Sequence, residues 1–335
     1  MKKVLVTIPE GAVRDTFVPQ NVRQRLDSLF ETTYNDTGRQ YTQNELRDLL
    51  PHYDAVLTGW GTAMMSADVL EGNQRLKLIV HTGGTVGNLV DSYAYDNGIT
   101  VFSGNQLYAE SVAEGTIAYM LLAQRRLPHY LNEVEEGRWR TEADVWEGLL
   151  DKTVGIVGLG TISTILIRML KTFRVKIKVF SHYEIPQELR SLYHVQEASL
   201  EEIFSTCDIV SVHSALNSQN RSLIQKEHFE LLKENALFLN TSRGDVINEE
   251  ALIEELKTGR FRAVVDVYHQ EPLAADSPLR TLPNVYAIPH MAGPTLDRRP
   301  YITDALISET ERFFNGETSF ELEITRELAA RMTKM

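Results

Sequence analysis

The fold is decided by the stretch Val154-Gly155-Ile156-Val157-Gly158-Leu159-Gly160-Thr161-Ile162-Ser163. An apolar run of strand length ends at Gly158, and a helical pattern follows it as far as Leu170. A glycine turn between strand and helix is typical of dinucleotide sites: the first glycine allows the tight turn and Gly160 lets a pyrophosphate approach the backbone. Ser163 replaces the third glycine, which predicts a small loss of helix packing. A purely structural turn is the alternative.

Short apolar runs alternate with helical patterns along most of the chain, which predicts an α/β fold with parallel sheets. The predicted strands cover residues 4–8, 55–58, 78–81, 99–102, 154–157, 177–180, 209–213, 237–239, 264–267 and 285–288. Long helical patterns cover residues 111–136 and 301–314, and Thr42-x-x-Glu45 and Ser199-x-x-Glu202 predict capping boxes.

Two successive series of strands and helices predict two doubly wound parallel-sheet domains, the first flavodoxin-like and the second, which contains the glycine turn, of the Rossmann type. We expect the chain to leave the first domain through the long helix and to return through the last one. The first domain then comprises residues 1–106 and 297–335, and the dinucleotide-binding domain residues 107–296. A contiguous C-terminal tail on the second domain is the alternative.

Composition and charge argue against several classes of protein. The formal charge of -12 over 335 residues argues against a broad nucleic-acid-binding face, which needs clustered Lys and Arg. No segment reaches the roughly 18 apolar residues of a membrane span. The apolar run at residues 4–8 is short, and no signal-peptide cleavage pattern follows it. The single Cys207 cannot form an internal disulfide, so we expect a cytoplasmic protein. No His or Cys spacing predicts a metal site.

Arg243, Asp266, Glu271 and His290 each follow a predicted strand. The carboxyl ends of parallel strands form the ligand crevice of such sheets. Arginine holds a carboxylate through two hydrogen bonds, and a histidine beside an acid carries a proton near neutral pH. This set suits redox chemistry on a 2-oxo or 2-hydroxy acid. The alternatives are a surface ion pair for Arg243, a loop cap for Asp266 and an exposed turn for Glu271.

The residues after strand 177–180 bear on cofactor choice. An acid usually binds the adenosine ribose there, but the chain reads Ser181-His182-Tyr183-Glu184. Ser181 and His182 can accommodate a 2′-phosphate, although no arginine is adjacent to hold it, and Glu184 can instead reach the ribose. The cofactor is therefore NAD or NADP, and the sequence leaves the choice open.

With these motifs in order, the chain resembles the D-isomer-specific 2-hydroxyacid dehydrogenases over nearly its whole length. The matching motifs are Ser111-Val112-Ala113-Glu114, Gly158-Leu159-Gly160, Asn240-Thr241-Ser242-Arg243-Gly244, Asp266-Val267, Glu271-Pro272 and Pro289-His290. The resemblance implies a discontinuous substrate domain, a homodimer formed through the coenzyme domain, and a catalytic set of Arg243, Glu271 and His290. It places Asp266 beside the nicotinamide.

The resemblance also implies the remaining contacts. The dinucleotide would touch Thr161, Ile162, Ser214, Ala215, Thr241, Ser242 and Gly293. The family's substrate loop has Gly-x-Gly followed by Asp, whereas this chain reads Thr82-Gly83-Gly84-Thr85-Val86-Gly87-Asn88, so the register of the loop is open. Backbone N–H groups of Gly83, Gly84 and Thr85 would hold the substrate carboxylate. Trp60 either lines the substrate pocket or packs in the core.

The expected reaction is hydride transfer from the nicotinamide to a 2-oxo acid, with Arg243 on its carboxylate and protonated His290 donating to the new alkoxide. Glu271 would favour the charged imidazole; related formate dehydrogenases have an amide instead. A dinucleotide-sensing protein like the C-terminal-binding-protein corepressors, phosphite oxidation and an inactive paralogue are the other hypotheses. Residues 111–136 and 139–146 are the expected dimer contacts.

Overall fold

The computed structural model describes residues 1–333, which fold as two compact units. Unit one contains Met1–Tyr108 and the chain from Pro294 onwards, and unit two is Ala109–Gly293. These limits differ by a few residues from those expected from the sequence. None of the helices within residues 1–333 has the length and apolar character needed to cross a membrane.

Twelve strands and fourteen α-helices occur within the described residues. The strands are β1 Lys3–Val6, β2 Glu31–Tyr34, β3 Ala55–Thr58, β4 Leu78–His81, β5 Thr100–Ser103, β6 Thr153–Val157, β7 Lys176–Phe180, β8 Gln196–Glu197, β9 Ile209–Val212, β10 Leu237–Asn240, β11 Arg262–Val265 and β12 Val285–Ala287. The helices are α1 Ala12–Phe17, α2 Gln20–Leu29, α3 Gln43–Leu49, α4 Ala67–Leu70, α5 Ser92–Asp96, α6 Asn105–Gln124, α7 Leu127–Glu135, α8 Thr161–Leu170, α9 Gln187–Tyr193, α10 Leu200–Thr206, α11 Lys226–Leu231, α12 Glu249–Leu256, α13 Arg298–Phe314 and α14 Arg326–Arg331.

The sheet of unit one has the order β2-β1-β3-β4-β5, with all neighbours parallel. This is the flavodoxin-like order, as predicted. Val4 and Val6 of β1 enter one hydrophobic cluster and Leu5 enters another. Because alternate side chains of a strand point to opposite faces, the sheet lies between two apolar layers.

The sheet of unit two has the order β12-β11-β10-β9-β6-β7-β8 and is also parallel throughout. The order reverses between β6 and β9, which is the switch point where doubly wound sheets bind their ligands. Leu237 and Leu239 of β10 pack in one cluster and Phe238 in the other, so this sheet is also covered on both faces. The predicted α/β fold class is confirmed.

Two local predictions were wrong. The helical pattern over 111–136 is divided between α6 and α7, because Arg126 adopts a left-handed conformation with φ of 51° and Pro128 opens the second helix. The hydroxyl of Ser199 accepts from the N–H of Glu202, but the Glu202 carboxylate pairs with Lys178 instead of completing a capping box. The box at Thr42 and Glu45 is confirmed.

Candidate active site

The turn after β6 meets the turn after β9 at the switch point of unit two. Gly158 has φ of 97°, and a Cβ at this position would lie 2.6 Å from the backbone nitrogen of Ser214. Glycine is therefore required for both conformation and space. A Cβ on Gly160 would meet nothing within 4 Å, so the turn is open for a ligand to approach the backbone there.

Ser163 stabilises the same turn. Its side chain is fully buried, and its hydroxyl accepts a 2.7 Å hydrogen bond from the N–H of Gly160. The sequence predicted only a small loss of helix packing from serine at this position. The structure adds a hydrogen bond that glycine could not make. Since Gly160 N–H is occupied, the N–H groups of Thr161 and Ile162 at the start of α8 are the ones left for an anion.

The residues predicted to hold the adenosine end form a hydrogen-bonded loop. His182 Nε2 lies 3.1 Å from Oδ1 of Asn220, whose amide donates to the carbonyl of Ala215 at 3.0 Å. The Ser181 hydroxyl accepts from the N–H of Tyr183. Sequence reasoning missed Asn220, because it lies outside every motif and reaches β7 only through the fold. Glu184 is exposed beside this loop.

His213 lies at the end of β9, before Ser214. Its Nε2 is 2.8 Å from the hydroxyl of Ser211, while Nδ1 is buried and has no hydrogen-bond partner among residues 1–333. Burial lowers the pKa of His213 to about 4, because the charged imidazolium cannot be solvated there. The ring is therefore neutral near pH 7.

The turn after β10 contains three predicted residues in sequence. Thr241 and Ser242 are buried, and the Ser242 hydroxyl donates to Oδ1 of Asn240 at 2.9 Å. Arg243 follows, and its Nη1 donates to the Ser242 carbonyl. Burial lowers the pKa of Arg243, and the negative charge of Glu271 opposes that shift. Both residues belong to unit two.

Gly244 explains how this turn packs against the next one. A Cβ on Gly244 would lie 2.1 Å from the carbonyl carbon and oxygen of Tyr268. No other residue allows the backbone after β10 to pass so close to the backbone after β11. Glycine at this position thus brings the turn containing Arg243 against the segment that leads to Glu271.

Glu271 and His290 form a direct pair. Nδ1 of His290 lies 2.7 Å from Oε2 of Glu271, and the other carboxylate oxygen accepts from the N–H of Tyr268 at 3.1 Å. His290 has φ of 51°, and its side chain is half exposed. With Nδ1 bound to the carboxylate, Nε2 is the nitrogen able to exchange a proton with a ligand.

Asp266 is 1% exposed and holds the segment that follows His290. Its two oxygens accept from the N–H groups of Met291 at 2.7 Å and Ala292 at 3.0 Å. Burial raises the Asp266 pKa, and these two donors oppose the shift. The hydroxyl of Tyr119, on α6, lies 3.4 Å from Oδ1. The geometry thus gives Asp266 the loop-capping contacts considered from the sequence. Gly293 follows this segment.

Unit one contains the predicted substrate loop. Nδ1 of His81 lies 2.9 Å from the Thr58 hydroxyl, and a Cβ on Gly83 would lie 2.3 Å from its Nε2. The Ser103 hydroxyl lies 2.9 Å from both the Gly83 and Gly84 carbonyls. These carbonyls face Ser103, and within residues 1–333 the N–H groups of Gly83, Gly84 and Thr85 donate no hydrogen bond.

Trp60 lies near the same loop in unit one. Its ring makes edge-to-face contacts with Phe17 at 5.0 Å and with Tyr108 at 6.5 Å between centroids, yet the side chain remains 42% exposed. Trp60 therefore packs on neighbouring rings and leaves part of its surface exposed, and its role in the substrate pocket stays a prediction. In the described part of the chain, no group of three or more metal-ligating side chains is found.

With this geometry in hand, comparison with known proteins identifies the family. The model of the D-isomer specific 2-hydroxyacid dehydrogenase NAD binding domain matches residues 117–292, more than half of the chain. The chain belongs to this family. The matched segment of this 2-hydroxyacid dehydrogenase family member includes the glycine turn. It also includes the positions of Arg243, Glu271 and His290.

Named relatives agree with that membership. The D-3-phosphoglycerate dehydrogenase of Methanocaldococcus jannaschii is 31% identical over 321 residues, covering 95% of this chain but only 58% of that protein. The hydroxypyruvate reductase of Thermotoga maritima is 29% identical over 276 residues, covering 82% of this chain and 89% of that protein. A phosphoglycerate oxidoreductase structure from Rhizobium etli superposes with a TM-score of 0.80 at 25% identity, covering 97% and 99% of the two chains.

Proposed function

We propose that the protein is an NAD(P)-dependent oxidoreductase that interconverts a 2-oxo acid and a D-2-hydroxy acid. The observation that supports this most directly is the 2.7 Å contact between His290 Nδ1 and Glu271. The negative charge of the same carboxylate also opposes the lowering of the Arg243 pKa by burial. This combination provides a proton donor, its charge partner and a fixed cation, which is what reduction of a carbonyl beside a carboxylate requires.

Each side chain then has a distinct role. Arg243 is the ligand for the substrate carboxylate and polarises the adjacent carbonyl, because its planar fork can make two parallel hydrogen bonds. His290 donates its Nε2 proton to the alkoxide as hydride reaches the carbonyl carbon. Glu271 stabilises the imidazolium before transfer. Asp266 holds Met291 and Ala292, and thereby the backbone that carries His290.

The dinucleotide would supply the hydride. The pyrophosphate is assigned to the open face at Gly160 and to the N–H groups of Thr161 and Ile162. Ser181, His182 and Glu184 are assigned to the adenosine ribose, with Ser214, Ala215, Thr241, Ser242 and Gly293 along the rest of the cofactor. The cofactor is NAD or NADP, because the end of β7 has no carboxylate at the position that usually binds the adenosine ribose.

We assign the substrate loop to residues 83–85 of unit one. The N–H groups of Gly83, Gly84 and Thr85 donate no hydrogen bond within residues 1–333 and can donate to a carboxylate. The bonds from Ser103 to the Gly83 and Gly84 carbonyls fix their orientation. His81 supports the loop as a neutral ring, since burial lowers its pKa to about 4. Unit one is thus the proposed substrate domain and unit two the coenzyme domain.

A homodimer formed through unit two is part of the proposal. Helix α7 has no buried residue, and it exposes Leu127, Leu131 and Val134. The following segment exposes Trp139 to 76% and also Trp146. An apolar surface of this kind is unfavourable in water and is typical of a subunit interface. A cytoplasmic location remains a prediction from the single Cys207.

The test is the loss of absorbance of NADH and NADPH, measured separately, with a panel of 2-oxo acids. Replacement His290→Ala should lower turnover by about 10²- to 10⁴-fold, the usual contribution of a general acid, and leave dinucleotide binding unchanged. His52 is exposed, so His52→Ala serves as the matched control. Dinucleotide binding without reduction of any acid on the panel would contradict the proposal and favour a dinucleotide sensor.

A further inference from the structure

An arginine of unit one lies in an aromatic cluster that the proposed reaction does not use. The guanidinium carbon of Arg299 lies 5.0 Å from the ring centroid of Trp60 and 5.5 Å from that of Phe17. The two rings meet edge to face at 5.0 Å. Guanidinium groups are attracted to aromatic faces, so the cluster fixes the position of a positive charge.

The hydrogen bonds of Arg299 leave that charge without an anionic partner. Nη1 donates to the Thr16 hydroxyl at 3.2 Å, whereas Nε is buried and has no hydrogen-bond partner among residues 1–333. Within residues 1–333, no carboxylate lies at ion-pair distance from Arg299. In contrast, Arg312 on the same helix pairs with Glu309 and Glu317. Burying a cation in part without a counter-ion is unfavourable, so a ligand anion would relieve that imbalance.

Tyr108 connects this cluster to the substrate loop. Its ring lies 6.5 Å from that of Trp60, and a Cβ on Gly84 would lie 3.5 Å from the Tyr108 ring. The Tyr108 hydroxyl is buried and has no partner in hydrogen-bond geometry among the described residues. Burial raises the pKa of Tyr108, opposed by the charge of Arg299 and by the side chain of Trp60, so the hydroxyl is a neutral donor.

We propose that Arg299 and Tyr108, with Trp60 as an exposed wall, bind a second anionic group at the far end of the substrate. The inference rests on the proposed function, in which Gly83, Gly84 and Thr85 hold the carboxylate next to the reacting carbonyl. The substrate class is therefore a dianionic 2-oxo acid whose distal group is a carboxylate or a phosphate. Arginine suits both groups, since its fork matches either anion.

The competing occupant is an uncharged apolar side chain that packs on Trp60 and Phe17. Such an occupant would leave Arg299 without a counter-ion and the Tyr108 hydroxyl without an acceptor. The unsatisfied donors of both side chains favour the anion. An anionic occupant predicts a selective loss of kcat/KM when the charge on Arg299 is removed. An apolar occupant predicts a preference that survives that change, so one variant series distinguishes the two.

The experiment compares kcat/KM for oxaloacetate, 2-oxoglutarate and 3-phosphooxypyruvate with kcat/KM for pyruvate and 2-oxobutanoate. Wild type should favour at least one dianionic acid. Arg299→Met should lower kcat/KM for that acid about 10- to 100-fold, the usual effect of a charged hydrogen bond, and change the monoanionic acids less than about 3-fold. Tyr108→Phe should cause a smaller loss with the same selectivity.

The matched control is Arg298→Met, since Arg298 precedes Arg299 on α13 and its guanidinium lies 4.2 Å from the Tyr301 ring centroid. An equal loss on monoanionic and dianionic acids would make Arg299 structural and overturn the proposal. A preference for apolar 2-oxo acids that survives Arg299→Met would do the same. If Arg299→Met fails to fold, Arg299→Lys keeps the charge without the fork and should show an intermediate selective loss.

A binding readout tests the cluster without turnover. A Trp139→Phe, Trp146→Phe variant retains only Trp60, whose fluorescence should change saturably with inorganic phosphate or malonate and lose that response on Arg299→Met. No response in this variant would count against the anion site. If no 2-oxo acid is reduced while the anion response persists, the proposed function fails and the anion site stands.

Discussion

Nδ1 of His290 lies 2.7 Å from Oε2 of Glu271, although 19 positions separate the two residues in the chain. The two residues follow neighbouring parallel strands, β11 and β12. The two residues meet because the carboxyl ends of parallel strands lie side by side at one edge of the sheet. The other oxygen of Glu271 is held by the N–H of Tyr268, so the carboxylate is oriented before any ligand binds.

Glu271→Gln should keep the hydrogen bond but remove the negative charge. We expect the reductive kcat to fall about 10- to 100-fold, because the amide no longer stabilises the imidazolium that donates the proton. Steady-state kinetics at saturating substrate measure that loss. Glu249→Gln is the control: that residue instead accepts from the N–H of His269. Equal kcat for wild type and Glu271→Gln would contradict the role.

Asp266→Asn should loosen the segment after His290. An amide offers one acceptor where the carboxylate offers two, so the N–H of Met291 or Ala292 loses its partner at a cost of about 1–3 kcal/mol. Urea unfolding measures that change, and kcat should fall with it. Asp276→Asn, at an exposed position, should change neither quantity. Unchanged stability in Asp266→Asn would show that the two contacts contribute little.

Gly244→Ala should lower the free energy of unfolding, whereas Gly160→Ala should weaken dinucleotide binding. A Cβ on Gly244 lies 2.1 Å from backbone atoms of Tyr268, so we expect a loss of at least about 1–3 kcal/mol in the free energy of unfolding. A Cβ on Gly160 meets nothing, so stability should stay within about 1 kcal/mol while the Kd for the dinucleotide rises at least tenfold. Unfolding curves and fluorescence titration distinguish the two. Equal dinucleotide affinity in Gly160→Ala would remove the pyrophosphate assignment.

His81 should make the protein sensitive to acid. Burial lowers its pKa from the ordinary 6.5 to about 4, so the unfolded chain binds a proton that the folded chain excludes. The stability it contributes is complete above pH 6.5 and is lost as the pH falls towards 4, by about 3 kcal/mol. His81→Asn should reduce the fall in unfolding free energy between pH 7 and pH 4.5, and His52→Asn should not. The same pH dependence in all three proteins would contradict the assignment.

Some elements escaped sequence reasoning for identifiable reasons. Strand β2 reads Glu31-Thr32-Thr33-Tyr34 and lies at the edge of its sheet with two exposed side chains, so it forms no apolar run. Strand β8 has two residues, both exposed. Central strands were predicted to within two residues at each end, because burial on both faces makes them continuously apolar.

The sequence by itself determined the α/β class and the glycine turn after β6, and it predicted Arg243, Glu271 and His290 as the catalytic set, since strand periodicity and motif order are local properties of the chain. The tertiary structure alone decided which donors and acceptors meet. Asp266 binds the N–H groups of Met291 and Ala292, Asn220 reaches His182, and Arg299 packs on Phe17 and Trp60. Those contacts join residues far apart in sequence, and only packing of the sheets and helices brings them within hydrogen-bonding or van der Waals range.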